Sequence, residues 1–330
     1  MGKTGLTERQ IVGILKQRFG SDSKLPLGFD DDVAAFPLRG RQQVVLKTDM
    51  LVGSTDVPPG MTREQAARKA VVATVSDFAA KGVQPRGLLV SLGLPSPVKL
   101  STVNEIASGL EKGAREYHCA IIGGDTSQTK ELIIDCIGFG FAESRRIIPR
   151  DGAKPGDVVA VTGEFGRTSA GLRILQSKQK SWPPRFSKLV SSVLHPLARL
   201  EIGLKLAKTG LMNSSIDSSD GLAWSLHEIA RIASVNIVLE KIPLAKDAEL
   251  FAKENGLRPE ELALFGGEEY ELVVTIRRGQ FATVKRKVPS LLRIGRVEKG
   301  IGEVLARSGN GIVRVEPLGY EHFRRQSSQP

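Results

Sequence analysis

The 330-residue chain is poor in the residues that staple, insert or stack. Cysteine is limited to Cys119 and Cys136. Both lie in apolar, strand-like runs. Buried free thiols in a cytoplasmic protein are therefore expected, with a disulfide or a metal pair as the alternative. Aromatic residues make up only 5% and do not interleave with basic ones, which argues against nucleic acid as a partner. No apolar run is long enough to span a bilayer, and no cleavable signal pattern opens the chain, so no membrane association is expected. The P-loop pattern G-x-x-x-x-G-K-[ST] is absent, as are G-x-G-x-x-G after the first strand, the protein-kinase H-R-D set, G-x-S-x-G and H-E-x-x-H. The four histidines, His118, His195, His227 and His322, are scattered, and none sits in a nucleophile pattern. His118, beside Cys119, reads as a helix-end residue.

What is present is a globular composition, 41% apolar and 25% charged, with 35 glycines. The length predicts two domains. Net charge is +11. Much of the excess falls late, in Arg277-Arg278, Lys285-Arg286-Lys287, Arg293, Arg296 and Arg324-Arg325. It reads as solvated surface that also attracts anionic substrates.

Thr7 to Gln10 and Thr62 to Gln65 are capping boxes, opening helices that run to about Arg18 and toward Ala80. Strands are predicted over 43–48, ending at Asp49, over 86–94, over 119–122, stopping at Gly123-Gly124, and over 132–141. Leu100 to Tyr117 is an amphipathic helix. Arg150 to Asp157 turns to loop composition and marks a boundary, giving domains 1–150 and 151–330. The second half continues with strands over 158–162, 236–240 and 271–276. A glycine-rich turn at 163–171 leads into a helix, 181–186 is a loop, and helices cover 196–208 and 221–232. A polar tail, Arg324 to Pro330, is expected to fray. Strands alternating with helices predict an α/β or α+β protein.

The acids carry the functional signal. They gather in Asp30-Asp31-Asp32, Thr48-Asp49, Ser76-Asp77, Gly123-Gly124-Asp125-Thr126 and Asp217-Ser218-Ser219-Asp220-Gly221. Taken singly, each has a structural alternative. Asp77 and Asp220 suit helix N-caps, Asp30 to Asp32 a solvated turn, and Asp125 a turn after Gly-Gly. Together they exceed what capping requires. Carboxylates suit hard divalent cations, and Mg²⁺ sites combine one or two of them with waters and substrate phosphates.

In sequence order, Asp31-Asp32, Lys47-Thr48-Asp49, Val75-Ser76-Asp77-Phe78-Ala79-Ala80-Lys81-Gly82-Val83-Gln84-Pro85 and Ile122-Gly123-Gly124-Asp125-Thr126 resemble the first half of the thiamine-monophosphate kinases. These belong to the superfamily of aminoimidazole ribonucleotide synthetase. Arg150 to Asp157, Ile216 to Leu222, Phe265-Gly266-Gly267-Glu268-Glu269-Tyr270-Glu271-Leu272 and Gly319-Tyr320-Glu321-His322-Phe323 continue the resemblance. It covers nearly the whole chain.

The resemblance implies an N-terminal α/β domain whose sheet forms a barrel with that of a second subunit in a homodimer, and a C-terminal α/β domain beside it. It implies ATP and Mg²⁺-dependent phosphorylation of thiamine monophosphate to thiamine diphosphate, and allows for K⁺. Metal ligands would be Asp32, Thr48, Asp49, Asp77, Asp125, Asp217 and Asp220, with Asp31 open as a further ligand and Lys47 where Ser or Thr often helps. ATP contacts would come from Gly124, Asp125, Arg150 and Ser219. Glu268 and Tyr320 would touch the thiamine moiety. The chain departs from the pattern in three places. Asp30 replaces a glycine, leaving open which two of Asp30, Asp31 and Asp32 bind metal. Asp56 stands where a substrate-contacting His is usual, and Glu269 where Asp is usual. A purine-pathway ATP-dependent synthetase is the enzymatic alternative, and a non-catalytic ATP- or nucleic-acid-binding protein the alternative outside enzymes.

Overall fold

The computed structural model describes residues 5–19, 25–27, 29–177, 182–308 and 311–323. The polar tail Arg324–Pro330 and Ser181 of the predicted loop lie outside these residues.

The chain runs through α1 (Glu8–Phe19), β1 (Ala34–Pro37), β2 (Gln42–Val52), a one-turn α2 (Gly53–Asp56) and α3 (Arg63–Lys81). It continues through β3 (Pro85–Pro95), α4 (Leu100–Glu116), β4 (Ala120–Thr129) and β5 (Ile133–Glu143). After a linking segment come β6 (Val158–Val161), α5 (Arg167–Gln176), α6 (Ser187–Leu194), α7 (Leu200–Thr209), β7 (Met212–Asp217), α8 (Leu222–Ala233) and β8 (Val235–Leu239). The chain closes with α9 (Lys246–Glu254), α10 (Pro259–Phe265), β9 (Leu272–Ile276), α11 (Phe281–Lys287), β10 (Leu292–Lys299), β11 (Val304–Ser308) and β12 (Gly311–Arg314).

The fold is α/β with two sheets. One has five strands in the order β1-β2-β5-β3-β4, and the other seven in the order β12-β11-β8-β10-β6-β9-β7. Pairing is antiparallel except for β3 with β4 and β8 with β11.

Helix α3 lies between the sheets. Thr62 opens it with the predicted capping box, accepting from the Gln65 N–H at 3.2 Å while Gln65 Oε1 accepts from the Thr62 N–H at 2.8 Å. Gly82 closes it at φ +65°, a left-handed cap that glycine adopts without a Cβ penalty. A Cβ there would also lie 2.2 Å from that of Ala207 on α7. The helix is buried almost all round, which explains its Ala/Val-rich sequence. Each buried valine contributes on the order of 1.5–3 kcal/mol. The largest core cluster runs across both sheets by way of α3, from Leu51, Val71 and Leu88 to Ala160, Leu206, Leu272 and Val274.

Two strand ends differ from expectation. β4 does not stop at Gly123-Gly124 but continues to Thr129. The glycines serve a close approach rather than a turn, since a Cβ on Gly124 would lie 1.8 Å from the Val90 carbonyl oxygen of β3. β2 likewise passes through Asp49 to Val52, its backbone satisfied by β5 along its whole length. His118 does follow the end of α4, at φ +53°. Cys119 and Cys136 are free, the latter buried. Among the described residues, no helix is long and apolar enough to cross a membrane.

Candidate active site at the junction of the two sheets

Alternation along β2 sorts its polar residues. Leu46, Thr48 and Met50 are exposed, whereas Lys47 and Asp49 are partly covered and Leu51 is buried. Successive side chains point to opposite faces, so Lys47 and Asp49 turn toward α3. There Lys47 Nζ lies 2.9 Å from Asp77 Oδ2 and 4.0 Å from Asp49 Oδ2. Thr48 takes the other face and donates to Asp135 Oδ1 at 2.7 Å.

Asp77 sits inside α3, one turn before its end, and is buried. It is no N-cap. Asp217 ends β7 and accepts from Ser76 Oγ at 2.7 Å. Asp220 lies one residue before Gly221, the N-cap position of α8, where no side chain caps the helix. Asp32, Asp77 and Asp217 converge, each offering a carboxylate oxygen within 4.8 Å of the others.

Two cations hold the Asp31-Asp32 pair. Lys81, fully buried at the C-terminal end of α3, lies 2.6 Å from Asp31 Oδ1 and 2.7 Å from Asp32 Oδ2, and donates to the Ser215 carbonyl at 2.8 Å. Arg150 pairs through Nη2 with Asp32 Oδ1 and donates its backbone N–H to Asp31 Oδ2 at 3.0 Å. Asp30 pairs instead with Lys16 of α1.

The electrostatics divide these acids. Burial opposes ionisation of Asp32, but Lys81 and Arg150 outweigh it and hold its pKa below the ordinary value. Asp77 is pushed well up by burial and by Asp217 and Asp49, against the pull of Lys47. Asp49 is raised by burial and nearby acids. Burial and Asp32 raise Asp217 to about 6, and burial with Glu8 and Asp217 raises Asp220 to about 7. The cluster is short of positive charge. Asp32 Oδ2 is buried and, though paired with Lys81, receives no aligned hydrogen bond. Oxygen-only donors, converging and under-neutralised, fit a hard divalent cation.

A second corner adjoins the cluster. Asp56 ends α2, and its Oδ2 accepts from the Val52 N–H at 2.7 Å. Lys69 of α3 donates to the Asp56 carbonyl at 2.8 Å and pairs with Glu268. Glu268, at φ +61°, donates its backbone N–H to the Ser219 carbonyl at 2.6 Å, and Tyr320 donates its own to the Asp220 carbonyl at 2.9 Å.

The structure thus brings together Asp31, Asp32, Lys47, Asp49, Asp77, Asp217 and Arg150, with Asp220 and Ser219 beside them and Asp56, Glu268 and Tyr320 in the adjoining corner. Gly124 and Asp125 stand apart on β4, the exposed edge strand. Register sets Asp125 opposite Ser91, and Ser91 opposite Asp135, the partner of Thr48. Among the described residues, no hydrogen bond or ion pair joins Asp125 to the buried cluster. Sequence reasoning assigned no role to Lys69, Lys81 or Tyr270. For the lysines a signal existed: both are cations inside the Ala/Val-rich run of α3, where a lone charge needs a buried partner.

A family model described as AIR synthase related protein, N-terminal domain, matches residues 30–142. The match marks the part of the chain that carries the five-stranded sheet, α3 and α4 as an AIR-synthase-related N-terminal domain. A thiamine-monophosphate kinase of Nitrosopumilus maritimus is 39% identical over 97% of this chain and 99% of its own length. One of Pyrococcus horikoshii is 38% identical over 97% of each. The chain belongs to the thiamine-monophosphate kinase family. The solved structure of AaThiL complexed with AMPPCP and TMP matches at 30% identity and a TM-score of 0.85, covering 98% of this chain and 99% of that one. The hydrogenase maturation protein HypE of E. coli, at 20% identity and a TM-score of 0.69, shares the fold alone.

Proposed function

We propose that this protein transfers the γ-phosphoryl group of ATP to thiamine monophosphate, giving thiamine diphosphate and ADP, with Mg²⁺ bound at the acidic cluster. The observation that carries this reading is the convergence of Asp32, Asp77 and Asp217, in a chain that matches thiamine-monophosphate kinases over nearly its whole length.

The acceptor brings its own nucleophile. A phosphate monoester has a second pKa near ~6, so its oxygen is largely ionised at neutral pH and needs no general base. The obstacle is repulsion between the phosphate groups, ~4 kcal/mol per pair of unit charges at ~4 Å and an effective dielectric near ~20. Bound Mg²⁺ supplies charge neutralisation and alignment of phosphate oxygens. Asp32, Asp49, Asp77, Asp217 and Asp220 would hold it, with Asp31, Lys47, Thr48 and Asp125 at the margin. Lys81 keeps Asp32 ionised and holds both Asp31 and Asp32 in place. Arg150 would neutralise ATP phosphate charge, Gly124, Asp125 and Ser219 would add further ATP contacts, and Asp56, Glu268 and Tyr320 would contact the acceptor. Transfer is direct and in line. Retention of configuration at phosphorus with chiral ATP would exclude it.

Residues 1–150 would carry the metal and dimer surfaces, and 151–330 would complete the substrate site. Leu46, Met50, Leu89, Ile121 and Phe141 of the five-stranded sheet are exposed, which supports pairing with a second copy. A monomer by sedimentation velocity at micromolar concentration would refute it. The free thiols support a cytoplasmic setting.

Product analysis by HPLC with ATP, Mg²⁺ and thiamine monophosphate tests the assignment. Thiamine diphosphate and ADP are expected in equal amounts. Release of inorganic phosphate without the diphosphate would reject it in favour of a synthetase.

A further inference from the structure

Lys69 is a cation almost withdrawn from water, with 2% of its surface exposed. Its ammonium bonds the Asp56 carbonyl oxygen and pairs with Glu268. The Glu268 side chain is 36% exposed, so only one member of this pair is open to solvent. Two tyrosines lie close by: Tyr270 follows Glu268 by two residues, and a Cβ on Gly267 would lie 3.5 Å from the Tyr320 Cβ. Tyr270 and Tyr320 both have raised pKa values, through burial first and then through the carboxylates of Glu268 and Asp56. Acids and rings therefore share this corner with one inserted ammonium. Carboxylates and aromatic faces suit a cationic ring. An ammonium suits a phosphate.

We propose that the Lys69–Glu268 ion pair stands in for a zwitterionic acceptor and selects its phosphorylated form. This inference rests on the thiamine-monophosphate reading. When the acceptor arrives, Glu268 turns to its cationic thiazolium ring and Lys69 turns to its phosphate, so two opposite charges exchange partners and none is left alone. Thiamine without its phosphate takes Glu268 and leaves the Lys69 ammonium buried without a counter-charge. A site discriminates most strongly when the wrong ligand leaves its buried polar group unpaired. Asp56 repels phosphate, and Lys69 beside it supplies the opposite sign.

The test is calorimetric titration of thiamine monophosphate and of thiamine into the full chain, held with Mg²⁺ and a non-hydrolysable ATP analogue. Wild type, Lys69→Met, Lys69→Arg and Glu268→Gln are compared. Lys69→Met is expected to weaken thiamine monophosphate by about tenfold or more while thiamine holds or tightens, because Glu268 is freed. Lys69→Arg restores the preference. Glu268→Gln is expected to shift both ligands alike, because it removes the same ring contact and the same ion pair from each, and a further variant, Lys69→Gln, provides a second reading if Lys69→Met does not fold. Wild-type preference retained in Lys69→Met, or in Lys69→Gln where Lys69→Met does not fold, overturns the inference alone. Wild type that binds the ATP analogue but not thiamine monophosphate overturns the functional reading, and the inference with it.

Discussion

Lys81 is a buried charge whose neighbours are all accounted for. Two carboxylates and a carbonyl meet its ammonium, and Asp31 and Asp32 are themselves nearly inaccessible. Removing one partner of a buried ion pair leaves the other uncompensated, at a cost of about 3–5 kcal/mol. Lys81→Met should lose stability on this scale, read as a lower urea midpoint. A loss below about 1 kcal/mol would mean that Arg150 alone neutralises the pair. Glu269 offers a pH test away from the metal cluster. Its Oε1 accepts from the backbone N–H groups of Gly166 at 2.6 Å and Thr168 at 3.2 Å, yet burial lifts its pKa from 4.5 to about 7. Between those values the folded chain keeps a proton that the unfolded chain has released, so this residue's contribution falls as pH rises. Glu269→Gln should flatten the decline in urea midpoint between pH 5 and 8, by on the order of 1 kcal/mol. Parallel wild-type and variant profiles would show that Glu269 ionises normally.

At the scale of elements, α3 organises the site because it is approached from every side. Asp77 and Lys81 lie on it one turn apart, and Lys69 two turns earlier. Its neighbours come close enough to require glycine. A Cβ on Gly109 of α4 would lie 2.0 Å from the Glu64 carbonyl oxygen, and one on Gly203 of α7 2.0 Å from that of Ala79. Gly203→Ala should force α7 away from α3 and cost about 1–3 kcal/mol. A thermal midpoint within error of wild type would mean that α7 shifts freely. The amphipathic and capped elements were legible in the sequence, including α3 with its capping box and α4. The ends of β2 and β4 were not. An acid or a glycine pair reads as a strand terminus when only local propensity is weighed, whereas the backbone hydrogen bonds of β5 and β3 carry both strands onward.

At the scale of the whole molecule, the acidic cluster exists only where the two sheets meet across α3. Asp32 precedes β1, Asp77 belongs to α3 and Asp217 ends β7. Folding therefore assembles charges that repel one another, and a bound cation should feed back on global stability. With Mg²⁺ at a hundredfold excess over its Kd, linkage predicts about 2.7 kcal/mol of stabilisation. EDTA should lower the thermal midpoint of a Mg²⁺-loaded sample and leave Asp77→Asn less affected. Equal shifts in the two proteins would place the ion elsewhere. The exposed apolar residues on the five-stranded sheet belong to this scale too, since among the described residues nothing covers them.

The sequence by itself determined the chemical inventory: carboxylates beside small residues, in a fixed order, with few aromatics and no nucleophile pattern. It also carried the family, because motif order survives without coordinates. Only the tertiary structure decided which acids meet. Ser76 and Asp217 are 141 residues apart in sequence yet share a hydrogen bond. It also separated Asp125 from the buried cluster and turned Thr48 away from Lys47 and Asp49, and it gave Lys69 and Lys81 their partners. Sequence patterns report local periodicity, while the state of a buried charge depends on everything packed around it, from both halves of the chain.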